Sequence, residues 1–151
     1  SGKTVTLLIS TNIGSEDNTI VANAGDDIIS TGLKHDTLIY NVLTSADVKA
    51  GHGTDTWTDF SLGNTDSTSN TYNSNADTIQ FSSDFFDGLL SDQSNINSYI
   101  KVETVGNTTT LSVDRDGDAN GTNYQDLLII ENQTSNVTLE DLLNNNQLII
   151  G

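Results

Sequence analysis

A nine-residue repeat constrains this chain more than any other feature. It runs without a gap from 13 to 39: Ile13-Gly14-Ser15-Glu16-Asp17-Asn18-Thr19-Ile20-Val21, Ala22-Asn23-Ala24-Gly25-Asp26-Asp27-Ile28-Ile29-Ser30 and Thr31-Gly32-Leu33-Lys34-His35-Asp36-Thr37-Leu38-Ile39. Asn18, Asp27 and Asp36 share one slot, and Ile20, Ile29 and Leu38 share another, two residues further on. After an interruption over 40–50, Gly51-His52-Gly53-Thr54-Asp55-Thr56-Trp57 reads as a fourth copy with Trp57 in the apolar slot. So short a unit cannot bury its own apolar face and has to stack on its copies. A glycine-rich turn of about six residues followed by a strand of about three makes half a coil of a parallel β-solenoid. The apolar slot then points inward, above its copy one full coil on. The acid slot forms a column of carboxylates at the turns.

That column creates a charge problem. The 151 residues carry 21 acidic side chains against 5 basic ones, a net charge of −16. High charge with 34% hydrophobic residues is also the composition of disordered chains, but the regular apolar spacing argues for a folded domain. Balance then requires a highly charged cation that prefers oxygen ligands, and calcium fits. Without cysteine there is neither a disulfide nor a thiolate metal site. No apolar run approaches the roughly 18 residues of a membrane-spanning helix. A pI near 4.1 speaks against binding a phosphate backbone. The expectation is one monomeric domain, cut from a longer chain at its start and ending naturally at Gly151.

Beyond the repeats, 64–75 is polar and of low complexity and reads as a surface loop. Residues 76–81 predict a strand and 83–88 a helical turn stopped by Gly88. Strands over 99–105 and 108–113 flank Gly106-Asn107, a type I′ hairpin signal. Another strand is predicted over 126–131, buried on both faces. Thr138-Leu139-Glu140-Asp141 is a capping-box pattern opening a short helix to 143, and 147–150 closes the chain. The fold class expected is therefore all-β: a lead-in strand over 1–12, a β-roll with calcium-binding turns over 13–60, and a β-rich extension with antiparallel strands and a short C-terminal helix over 61–151.

The nonapeptides resemble RTX repeats, whose pattern is G-G-x-G-x-D-x-U-x with U apolar. Four later segments follow in a familiar order: Gly53-Thr54-Asp55-Thr56-Trp57-Thr58-Asp59-Phe60, Ala76-Asp77-Thr78-Ile79, Asp114-Arg115-Asp116-Gly117-Asp118 and Leu142-Leu143-Asn144-Asn145-Asn146-Gln147-Leu148-Ile149. Together they resemble the C-terminal target domain of large RTX adhesins exported by type I secretion. The resemblance implies calcium between turns one full coil apart, held by sixth-slot carboxylates and by carbonyls near the second and fourth slots. It implies Asn23, Gly25 and Asp27 facing Gly51, Gly53 and Asp55, and Gly14, Glu16 and Asn18 facing Gly32 and Asp36. Asp59 and Asp77 are lesser candidates at strand ends. Asn18 departs from the pattern where an acid is expected, and Lys34 where a glycine is. The resemblance further implies a secretion signal in the last segment, with Leu139, Leu142, Leu143, Leu148, Ile149 and Ile150. It would be read by an ABC exporter, leaving the product secreted or on the bacterial cell surface.

Asp114, Asp116 and Asp118 have the 1-3-5 spacing that opens an EF-hand loop, with Gln125 where the bidentate Glu would stand. The spacing fits a metal loop and equally a solvated acidic turn. Catalytic signals are poor. His35 and His52 lie in repeat turns, where exposure is expected, and neither G-x-S-x-G nor HExxH occurs. The function expected is calcium-driven folding and export. The alternatives are a glycan- or ice-binding module and the non-catalytic tail of a secreted RTX protease or lipase.

Overall fold

The computed structural model describes residues 8–10, 16–63 and 75–151, with only the backbone at 8–10. Among the described residues the fold is all-β apart from one short helix and one 3₁₀ turn at Ile96–Ser98. Its strands are β1 (Leu8–Ser10), β2 (Thr19–Val21), β3 (Ile28–Ser30), β4 (Thr37–Tyr40), β5 (Asp55–Trp57), β6 (Thr78–Phe81), β7 (Ile100–Val105), β8 (Thr108–Val113), β9 (Gln125–Ile130) and β10 (Leu148–Ile150), with α1 at Leu139–Asn144. They form two sheets, ordered β1-β3-β5-β9-β8-β7 and β10-β6-β4-β2.

From β1 to β6 successive strands alternate between the sheets. Each of β1 to β4 pairs in parallel with the strand two further along. The repeat sets this register. Ile20 pairs with Leu38, Leu38 with Ile79 and Ile79 with Leu148, so four apolar slots stack in one sheet. In the other sheet Ile29 pairs with Trp57 and Trp57 with Ile130. All seven side chains are buried. Tyr40 lies over Phe81 with ring centroids 5.6 Å apart, and Phe85, Phe86 and Tyr99 continue this aromatic cluster.

The interruption over 40–50 does not break the alternation. Tyr40 belongs to β4, and the following excursion closes on itself where the Leu43 and Thr44 amides both donate to Ala50 O at 2.8 Å. The next strand, β5, then returns to the sheet of β3. In that sheet the parallel pattern ends at β9, which is parallel to β5 and antiparallel to β8, whereas β10 still pairs in parallel with β6.

Most predicted elements are found within a residue or two. The capping box at Thr138 and Asp141 is present. The 83–88 segment is non-helical turns, anchored by buried Phe85 and Phe86. Gly106 has φ 62 while Asn107 has no positive φ, so the hairpin turn is of the II′ kind, with glycine at its first central position. Residues 1–7, 11–15 and 64–74 lie outside the described residues, and with them most of the lead-in, Gly14 and the polar stretch.

Leu38 is fully buried between two stacked neighbours. Leu38→Ala is expected to lower stability by about 2–5 kcal/mol, the range for a buried leucine. Exposed Val105→Ala should change it by less than about 0.5 kcal/mol. Denaturant melts of the two variants check the difference.

Candidate functional site

The turns stack as closely as their residue types permit. A Cβ on Gly53 would stand 2.4 Å from Gly25 O and 2.3 Å from Asp26 Oδ1, so only glycine lets the fourth turn pass beneath the second. Gly25 takes φ 104, and Lys34 takes φ 83 at the equivalent slot of the next repeat. Lys34 thus adopts the glycine conformation with its side chain exposed.

The acid slots are linked by one recurring hydrogen bond. Each carboxylate accepts the main-chain N–H of the same slot two strands earlier: Asn18 N to Asp36 Oδ1 at 2.9 Å, Asp36 N to Asp77 Oδ1 at 2.9 Å, and Asp27 N to Asp55 Oδ1 at 3.0 Å. Asp77 is therefore a member of the column as well as a strand-end acid, followed by Thr78 and Ile79 as Asp36 is by Thr37 and Leu38. Asp27, Asp36, Asp55 and Asp77 are all buried. The second oxygens differ. Asp55 Oδ2 accepts from the Tyr40 hydroxyl at 2.8 Å and Asp77 Oδ2 from Ser61 N at 2.6 Å. Asp36 Oδ2 is buried with no donor.

Between the first and third turns three oxygens converge on one point. Asn18 Nδ2 donates to Glu16 O at 3.0 Å, Asp36 Oδ1 at 3.1 Å and Thr31 O at 3.4 Å. Glu16, Asn18 and Asp36 are thus together, but the carbonyl facing them is that of Thr31, where Gly32 was expected. Gly32 instead gives its N–H to Asp59 Oδ2 at 2.8 Å. Between the second and fourth turns the Asn23 amide, oriented to satisfy its neighbours, donates to Asp27 Oδ2 at 3.0 Å and Ala24 O at 3.2 Å. The Asn23 carbonyl, an expected ligand, lies 3.1 Å from His52 Nδ1. Gly51, at φ 89, donates to Asp47 Oδ2 inside the 41–50 excursion.

Asp59 makes a separate anion cradle. It accepts from the amides of Thr31 and Gly32, the Ser30 hydroxyl and the Trp57 indole N–H. The histidines are structural. His52 is buried, its ring nitrogens near Asn23 O and, at 2.7 Å, Asn41 O, which ties the excursion to the second turn. His35 is half-buried and bonds to Ala76 O and Thr78 Oγ1. Neither is the exposed turn histidine expected from sequence.

These acids have little cationic company. The ion pair joining two described side chains is Lys101–Glu103, at 3.9 Å on the surface. Among the described residues no three His, Asp or Glu side chains are gathered at metal-binding distance. Burial, the largest cause, pushes the Asp55 carboxyl up to about 6, helped by the Asp27 charge and opposed by the N–H of Asp27 and the Tyr40 hydroxyl. Burial likewise raises Asp77 to about 7, with N–H groups of Ser61 and Asp36 opposing and the charges of Asp36 and Asp59 adding. Tyr40 is raised well above its ordinary value by burial and then by the Asp55 charge.

The C-terminal segment expected to be a secretion signal is built into the fold. Leu142 and Leu148 are buried, and Leu139, Leu143 and Ile150 pack partly against the core. Ile149 is half-exposed on β10, which pairs in parallel with β6. Compared with family models, curated proteins and solved structures, the chain matches none.

Two expectations follow from the stacked turns. Gly53→Ala should destabilise by about 1–3 kcal/mol, because its methyl group would meet backbone and not a flexible side chain; urea melts measure it. The second concerns pH with divalent ions chelated. Asp55 and Asp77 hold protons in the folded state that the unfolded chain, at its ordinary value of 3.8, releases. Stability from these groups is then fully present below about pH 4 and is lost as pH rises through about 6 to 7. In chelator the folded fraction, read by far-UV circular dichroism, should fall as pH rises between about 5 and 8. A flat or rising profile would contradict burial as the dominant cause.

Proposed function

We propose that this chain is a calcium-dependent extracellular RTX module from the C-terminal region of a type I-secreted bacterial adhesin. On this reading the strands that alternate between the sheets are the half-coils of a short parallel β-roll. Calcium sits between turns one coil apart, and the binding energy is folding energy. Cytosolic calcium is scarce, so the chain would pass an ABC exporter unfolded and fold outside. The last segment would be read by the exporter first and would complete the β6 edge afterwards.

The observation that carries this reading is the convergence of Glu16 O, Thr31 O and Asp36 Oδ1 on the Asn18 amide nitrogen, beside a buried Asp36 Oδ2 without a donor. That is an oxygen cage around a point a cation could take. The Asn18 amide nitrogen fills that point in this structure and would have to swing aside for a cation to enter. Distances of 3.0–3.4 Å to the nitrogen would have to shorten to about 2.3–2.6 Å around calcium. The uncompensated acid columns add a second support. An ice- or glycan-binding face finds less: Thr19, Thr37 and Thr78 align, but the row runs from exposed Thr19 to buried Thr78 and offers no flat threonine surface.

Far-UV circular dichroism during a calcium titration tests the proposal. A largely unfolded chain in chelator and a cooperative transition at about 10⁻⁴–10⁻³ M calcium, the range of extracellular modules, are expected. Asp36→Asn should weaken the transition several-fold, and Asp126→Asn, outside the columns, should not. A native spectrum and unchanged melting in excess chelator would overturn the reading.

A further inference from the structure

A surface cavity of about 570 Å³ opens between the third repeat turn, the segment after β5 and the turn after β9, with Leu33, Lys34, Ser61 and Asn132 in its lining. A smaller cavity of about 270 Å³ adjoins it along the turn after β9 and shares Phe60, Ser61 and Asn132. The two make one groove. Its walls are tied together by side chains that bond main chain across it. Asp59 accepts the N–H groups of Thr31 and Gly32, which fixes the third turn to the segment after β5. Asn132 Nδ2 donates to Thr58 O at 2.8 Å and Gln133 Nε2 to Phe60 O at 3.2 Å, which fixes the other wall to the same segment. The groove is therefore preformed, as small-molecule sites mostly are.

Two backbone outliers meet here. Lys34, at φ 83, and Asn132, at φ 60, both line the groove. The left-handed region is mild for asparagine and unfavourable for lysine, and such outliers gather at ligand clamps and active sites. The equivalent slot of the preceding repeat holds Gly25 at φ 104, so the turn itself needs no side chain at that slot. Lys34 is also the one lysine or arginine among the described residues that has no partner. Lys49 donates to Thr54 Oγ1 and Asp126 O, Lys101 pairs with Glu103, and Arg115 bonds Phe85 O, Ser45 O and Asp47 O. Lys34 stays unpaired in a chain of net charge −16. Even Asp59 in the same groove does not draw it, because amide, hydroxyl and indole donors already take its oxygens.

We propose that this groove binds a carboxylated saccharide, with Lys34 Nζ taking the carboxylate. The free atoms set the class. Lys34 Nζ can only donate, Ser61 Oγ can donate or accept, and Asn132 Oδ1 can only accept. Among the described residues none of the three atoms has a hydrogen bond. Their ligand must bring a negative charge together with hydroxyl groups that both give and receive hydrogen bonds. A bare phosphate fits poorly, because Asn132 Oδ1 would face it acceptor to acceptor. Leu33, 68% exposed beside Lys34, offers an apolar surface to the C–H face of a sugar ring. The site asks for no flat threonine row, and it stands whether or not the repeat turns hold calcium.

The test is amide chemical-shift mapping on the whole folded chain in calcium, at matched ionic strength. The probes are D-glucuronate and N-acetylneuraminate, with D-glucose as the neutral control. At least one of the acids should shift the amides of Lys34 and Asn132 and bind about tenfold more tightly than glucose, the difference one charge-assisted bond makes. Which acid binds better tells a uronic from a sialic sugar. Lys34→Gln should abolish the preference for the acid and leave the calcium titration unchanged. Lys34→Gly separates binding from folding. It should lose the preference yet melt no lower than the parent, since glycine suits the backbone there. Ser61→Ala should weaken acid and neutral sugar alike. Glucose bound as well as either acid, a preference that survives in Lys34→Gln, or no shift at Lys34 and Asn132 with any probe would overturn the site. A clear fall in melting temperature for Lys34→Gly with the preference intact would do the same, and would make Lys34 a residue of the fold.

Discussion

Everything in this structure hangs on a bond between an aspartate side chain and the main-chain N–H of the turn stacked beside it. Parallel strands about 4.8 Å apart bring consecutive turns within reach of one another. A carboxylate at the turn then satisfies an amide that no strand partner would reach. Such charge-assisted bonds are shorter and stronger than neutral ones. Because acceptor and donor occupy the same slot, the bond works only if the paired strands stay in register. The residue separation along the chain can vary, from 18 between Asn18 and Asp36 to 41 between Asp36 and Asp77. What must hold is the geometry of the slot. The 41–50 excursion respects this by closing on its own backbone and by leaning on His52.

The same bond fixes the electrostatics. A carboxylate that accepts two N–H or O–H groups is well solvated by protein, yet Asp55 and Asp77 still rise to about 6 and 7 because burial outweighs those donors. Stacking makes this worse, since each buried acid stands next to another of its column. Asp59, at a half-exposed position, is surrounded by amide, hydroxyl and indole donors. Protons and multivalent cations are the two neutralisers left to the columns. They predict opposite behaviour near neutrality, where protons leave and calcium competes best. A protein that folds only with its ion would then be least stable in chelator at the pH where the ion binds well.

Much of this was legible in the sequence, and the failures have physical causes. The apolar and acid slots of the repeats fix which residues are buried and which stack, and Trp57 took the slot its spacing implied. The copy at Asp77 has the same acid-x-apolar spacing, but the polar stretch before it hides the period. The pairing of β9 with β5 was not legible either. Asp126 and Leu128 mimic the repeat spacing, yet Leu128 pairs with Asp55 and Ile130 with Trp57. That offset of two residues keeps the same face inward, so the apolar pattern alone cannot exclude it. The cage at Asn18 depends on which carbonyl a turn presents, and Thr31 in place of Gly32 is a matter of backbone direction. The burial of His52 depends on the path of the 41–50 excursion, which no local pattern encodes.

Stacked parallel strands leave open edges, and an open edge invites pairing with another chain. Among the described strands, two of the four edges are kept poor. One sheet ends in β7, where Lys101 and Glu103 are exposed at alternating positions and form the surface ion pair. Antiparallel β8 and β7 are what bring that charged strand to the outside, because they extend the sheet past the last parallel partner. The other sheet ends in β10, a strand of three residues preceded by α1. Its length gives few free amides to a second chain, and Gln147 spends its side chain on Ser61 O and Asp77 O at the end of the acid column. The change from parallel to antiparallel pairing and the short strand after α1 thus limit two edges, while β1 and β2 form the opposite two.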